Sequence, residues 1–175
     1  MNDAAPGQTA PEIRALPARE ATPEAIAPYG TLIEPGEDGT PFGAADAVLD
    51  LGHGTPRLYI MRLTARPMRV AGITRHAAVT QCLAAMKGEE WFTALAPPGD
   101  AGDPAARPDP AAIEAFRIPG DKALALHRGT WHAGPFFAAP AVDFLNLELA
   151  DTNVTDHHTV RLDHDFGVAF DIVPQ

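Results

Sequence analysis

Serine is absent from all 175 residues, which removes the Ser-His-Asp hydrolases and every other serine-nucleophile enzyme. A single cysteine, Cys82, leaves no internal disulfide, and no C-x-x-C pair offers a zinc or redox centre. Lysine occurs only at Lys87 and Lys122, a poor basis for Schiff-base or P-loop chemistry. No stretch approaches the roughly 18 uninterrupted apolar residues that would span a bilayer. The N-terminal residues lack both a basic region and an apolar run, so no signal peptide is visible and the expected location is the cytoplasm. Cations are scarce too. A net charge of −10 argues against nucleic acid or an anionic membrane as a partner.

Turn-formers are plentiful, with 15 Gly and 18 Pro, a load that disfavours a helical bundle. The length suits a single domain over residues 12–175, preceded by a mobile tail over residues 1–11. Thr22-Pro23-Glu24 carries an N-cap, a first-turn proline and a first-turn acid, and predicts one short helix ending near Tyr29. Elsewhere the apolar runs are short and bounded by Gly, Pro or Asp. Nine have strand length: Thr31–Glu34, Arg57–Thr64, Thr80–Met86, Trp91–Ala96, Ile113–Ile118, Ala123–Leu126, Val142–Leu149, Thr159–Leu162 and Val168–Val173. The pattern reads as an all-β sandwich or barrel with one or two short helices and a ligand-sized cavity at its mouth. The proline-rich stretch from Ala96 to Pro110 reads as a solvated loop, with a flap over a site as the alternative.

Seven histidines are the main chemical signal. His76 lies in Thr74-Arg75-His76-Ala77-Ala78-Val79-Thr80-Gln81, with Gly88 following. His127 and His132 lie in His127-Arg128-Gly129-Thr130-Trp131-His132, which reads as a strand end, a glycine turn and a new strand. That turn would aim His132 into a cavity with Trp131 in its wall.

These two clusters resemble the two cupin motifs, with Thr74 and Gln81 standing where those motifs carry a histidine and a glutamate. The longer series Arg75-His76, Thr80-Gln81, Met86-Lys87-Gly88-Glu89, Ala115-Phe116, His127-Arg128, Trp131-His132 and Asp143-Phe144 is similar to the bacterial ureidoglycolate lyase family. The resemblance extends over about residues 12–173. It implies a cupin-like double-stranded β-helix barrel of jelly-roll type and a homodimer. It further implies cleavage of ureidoglycolate to glyoxylate and urea, in purine and allantoin degradation. A divalent metal (nickel, manganese or zinc) at His76, Gln81 and His132 is implied as well. Departures from the family pattern fall at Thr74, Ala77–Val79 and Ala133. They leave two alternatives open: a related cupin enzyme acting on another small hydroxy or keto acid, and a non-catalytic small-molecule-binding module.

Such a cleavage needs a base for the hydroxyl proton, an acid for the departing urea nitrogen and a cation for the carboxylate. His76 and His132 are the candidate acid–base pair or metal ligands, and Gln81 a partner for the ureido group. Arg75 is a candidate carboxylate clamp, although its place beside His76 on a strand should turn it the other way. Arg62 is the substitute. His127, Trp131 and Asp143 complete the candidate substrate contacts. Each has a plainer reading as a structural histidine, a core aromatic or a strand anchor. Cys82 reads as a small core hydrophobe and His53 as a surface residue. Asp156-His157-His158 with His164-Asp165 reads as a solvated cluster or a second metal site.

Overall fold

The computed structural model describes residues 10–175, so most of the expected tail lies outside the described residues. Strand β1 (Glu12–Glu20) leads to helix α1 (Pro23–Ile26), whose N-terminus is capped by the Thr22 hydroxyl accepting from the Ala25 amide. Strands β2 (Gly30–Ile33), β3 (Pro56–Thr64), β4 (Arg69–Val70), β5 (Gly72–Arg75) and β6 (Cys82–Ala85) follow. Next come β7 (Trp91–Ala96), β8 (Glu114–Ile118), β9 (Ala123–Leu126), β10 (Trp131–Phe136) and β11 (Ala141–Leu149). Helix α2 (Thr152–Thr155), strand β12 (His158–Arg161), helix α3 (Leu162–Asp165) and strand β13 (Val168–Pro174) close the chain.

Eight strands form one sheet in the order β12-β5-β10-β7-β8-β1-β13-β4, and five form a second in the order β2-β9-β6-β11-β3. Curled together, they make a half-barrel, the all-β architecture that the short apolar runs led one to expect. Strand β7 shows why the core works. Every residue of Trp91–Ala96 is buried, and the period-two alternation sends them into two cores. Trp91 and Leu95 join Leu83, Phe116, Leu124 and Phe144 between the sheets. Phe92, Ala94 and Ala96 join Ile73, Trp131, Val160 and Phe170 on the other face. Each large side chain buried this way contributes about 1.5–3 kcal/mol.

All nine runs contain strands. Strand β1 is outside that set, since Pro17 interrupts its pattern. It tolerates the proline because β8 joins it only from Ala18 onward, while β13 pairs in parallel along Glu12–Ala18. Strand β5 is also outside the set, because its four residues are too short and mixed to stand out.

The stretch after Ala96 packs on the chain rather than over a site. The Arg75 guanidinium donates to the Asp100 carbonyl at 3.1 Å and to the Asp103 carbonyl, which pins this loop to β5.

Candidate active site

A cavity of about 470 Å³ opens between the two sheets, lined among others by His76, His132, His157, Gln81 and Arg66. Strands β5 and β10 run antiparallel with Thr74 opposite His132, so both face the interior. Alternation then turns Arg75 and Trp131 to the other core, where the guanidinium stacks over the indole at 5.0 Å. Arg75 is therefore not a clamp for anything in the cavity. It is 2% exposed and committed to the loop carbonyls and to His158 Nδ1. Trp131, 1% exposed, belongs to the core rather than to the substrate wall.

The turn between β9 and β10 places His132. Gly129 takes φ +82°, and a Cβ there would meet Ala101 at 2.8 Å, so only glycine fits. Its amide donates to the His76 carbonyl at 2.6 Å, tying the two histidine-bearing segments together. The His76 and His132 rings stand 5.0 Å apart, with His157 5.7 Å from His76.

Both imidazoles are held neutral. His76 Nδ1 donates to the Asp156 carbonyl at 2.5 Å, and His132 Nδ1 donates to the Thr130 carbonyl at 3.2 Å. Each Nε2 is thereby left as the free acceptor, a tautomer assigned from these partners. Burial lowers the His76 pKa, countered in part by the Asp156 backbone. Burial, with the neighbouring His76 next, pushes His132 down to about 3, although its edge reaches the cavity.

Asp156 also accepts from the Ala77 and Ala78 amides at 2.7 and 2.8 Å, so the segment between α2 and β12 holds His76 from two sides. This parts the Asp156-His157-His158 run. His157 reaches the cavity, whereas His158 packs edge-on to Trp131 at 5.2 Å. Among the described residues, no group of three or more His, Cys, Asp or Glu side chains is placed to hold a metal ion.

On the opposite sheet, β3 turns Tyr59, Met61 and Leu63 inward and Leu58, Ile60 and Arg62 outward. Arg62 is thus a rim residue, joined in bidentate fashion to Asp143 at 2.7 and 2.9 Å across the β3–β11 pair. Asp143 neutralises it there and contacts the cavity only through it. Gln81 and Glu148 point inward together. Gln81 Nε2 donates to Glu148 Oε2 at 3.0 Å, and the Gln81 side-chain Oε1 is buried without a partner. Cys82 alternates away from Gln81 as expected, yet onto the half-buried outer face rather than into the core.

A sequence model of the family described as ureidoglycolate lyase matches residues 13–169. The chain belongs to the ureidoglycolate lyase family. Among its relatives in that family, the ureidoglycolate lyase of Pseudomonas aeruginosa (strain LESB58) is 25% identical over 167 residues, covering 83% of this chain and 90% of that one. The ureidoglycolate lyase of Escherichia coli O1:K1 / APEC is 27% identical over 94 residues, covering 54% of this chain and 55% of that one. RmlC from Streptococcus suis, solved in complex with dTDP-D-xylose, superposes with a TM-score of 0.34 at 9% identity, over 54% of this chain and 44% of that one.

Within this family member, His127 falls away from the cavity. It is exposed and lines a separate concavity with Pro23, Gly30 and Glu34. Sequence reasoning missed Arg66, Asn153 and Glu148, and put His157 in a separate cluster rather than at this cavity. Arg66, exposed overall, lines the cavity with its guanidinium 4.7 Å over the Phe136 ring, where partial desolvation lowers its pKa. It makes no ion pair or hydrogen bond among the described residues. An arginine between Ala65 and Pro67 carries no periodic signal, so only the fold singles it out. No helix among the described residues is long and apolar enough to cross a membrane.

Proposed function

We propose that this lyase cleaves ureidoglycolate to glyoxylate and urea, as a carbon–nitrogen lyase of purine and allantoin degradation working in the cytoplasm. The observation that carries this reading is the convergence of two neutral imidazoles, one uncommitted arginine and one amide carbonyl on a single cavity of about 470 Å³. The two relatives named ureidoglycolate lyase support it.

Arg66 binds the substrate carboxylate in the bidentate manner that a guanidinium favours. Gln81 accepts from the ureido group. His76 Nε2 takes the hydroxyl proton as the carbon–oxygen double bond forms and the carbon–nitrogen bond breaks. The same proton passes to the departing nitrogen, which leaves as urea, so atoms and charge balance. His76 is the better base because Asp156 partly offsets its burial. His132 stays neutral beside it, and its Nε2 accepts from the substrate's internal N–H.

The donor set His76, His132 and Gln81 does not fit a tightly held nickel, manganese or zinc ion. They supply two imidazoles and one amide oxygen with no carboxylate or thiolate, and among the described residues no group of three or more His, Cys, Asp or Glu side chains is placed to hold an ion. No step is routed through a metal. The test is release of urea and glyoxylate from racemic ureidoglycolate, before and after chelation. Turnover that survives chelation is expected, and absence of turnover with and without added metal would overturn the reading.

A homodimer is part of the same proposal. The outer face of the β3–β11 pair aligns Leu58 with Leu147 and Ile60 with Leu145, on a sheet edge, with Leu58 and Ile60 62% and 58% exposed. A second copy is the occupant that would cover this face and edge.

A further inference from the structure

Glu148 is 1% exposed and accepts from four neutral donors. Tyr59 Oη and Asn153 Nδ2 each donate to Oε1 at 3.1 Å. Gln81 Nε2 and Asn146 Nδ2 donate to Oε2 at 3.0 and 3.1 Å. Four donors match the acceptor sites of an ionised carboxylate, which has no hydrogen to offer. Such a group dictates the polarity of every amide that touches it. With the Gln81 amide reversed, its oxygen would stand against Glu148 Oε2 with no proton between two acceptors, in a buried site where that is costly.

The consequence falls on the cavity side. Gln81 is 7% exposed, lines the cavity with His76 and His132, and has a buried side-chain Oε1 that meets no donor. A buried unpartnered acceptor in a ligand cavity is satisfied by a ligand that brings an N–H, and it penalises one that brings a methyl group or an oxygen.

We propose that Glu148 is a positioning residue that locks Gln81 as an obligate acceptor, so that the cavity selects ligands carrying a terminal carbamoyl N–H₂. This rests on the lyase reading for its substrate class, and it assigns specificity to a residue that touches no substrate.

The test is calorimetric binding of two unreactive acids to the whole protein. N-carbamoylglycine is ureidoglycolate without its hydroxyl, and N-acetylglycine replaces its terminal NH₂ with a methyl. The native protein should favour the carbamoyl compound by about tenfold or more. Gln81→Leu should reduce the preference below about threefold by weakening the carbamoyl compound alone. Glu148→Gln, which can donate and so frees the Gln81 amide to turn, should do the same while N-acetylglycine binding holds. A general structural defect would weaken both ligands together. If Glu148→Gln fails to fold, Gln81→Leu still reads the acceptor, and Tyr59→Phe, which removes one donor from Glu148, should narrow the preference in part. Equal binding of the two acids by the native protein, or a preference unchanged in the Gln81 variant, would overturn the proposal. Discrimination without turnover of ureidoglycolate sinks only the lyase reading, and turnover without discrimination sinks only this one.

Discussion

His76 and His132 stand with ring centroids 5.0 Å apart and planes inclined at 49°, one just after β5 and the other in β10. The contact exists because these strands are antiparallel neighbours with Thr74 opposite His132, and because the Gly129 amide binds the His76 carbonyl. Replacing His76 with Asn should lower kcat by about 10²–10⁴, the usual worth of a proton-transfer group. His132→Asn should cost less in kcat. Steady-state assays on variants with native circular dichroism check both, and an active His76 variant would remove it as the base.

Acid should destabilise the fold through the same pair. The unfolded chain protonates His132 near its ordinary value of 6.5, whereas the folded chain resists until about 3. Between those values the unfolded state binds more protons, so stability falls as pH falls. The contribution is fully present above about pH 6.5 and is lost progressively below it. Thermal melts from pH 7 to 4.5 should show Tm dropping, with a shallower drop in His132→Asn. Parallel curves would refute the assignment.

Arg66 should govern substrate affinity. Removing a charge-assisted pair costs about 1.5–3 kcal/mol, so Arg66→Ala should raise KM by roughly 10–150-fold with a smaller change in kcat. Arg62→Ala should have little effect, because Arg62 is a rim residue already paired with Asp143. The reverse ranking would restore Arg62 as the clamp.

Arg75→Met separates structure from chemistry. It strands the Asp100 and Asp103 carbonyls and removes the contact over Trp131, so denaturant melts should show a loss of about 2–4 kcal/mol. Turnover per folded molecule should stay within a factor of about three, because Arg75 faces the core opposite to the cavity.

Leu58→Glu and Ile60→Glu should shift the sedimentation coefficient from dimer to monomer by placing charge on the apolar face of β3. A monomeric native protein would remove the dimer from the reading.

The sequence by itself determined most of the strands and the family. Short apolar runs punctuated by Gly and Pro mark strands because turns need those residues, and the two histidine clusters survive as linear patterns. It also marked Arg75 as misplaced for a clamp, since neighbours on a strand face opposite ways. Arg62 fell to the same rule, which becomes visible only once Met61 and Leu63 are seen to point inward. The tertiary structure alone decided which polar groups meet. Glu148, Gln81 and Tyr59 come from segments far apart in the chain, and Arg66 lies between strands. Their company is set by sheet order and curvature, which are long-range properties that no local period records.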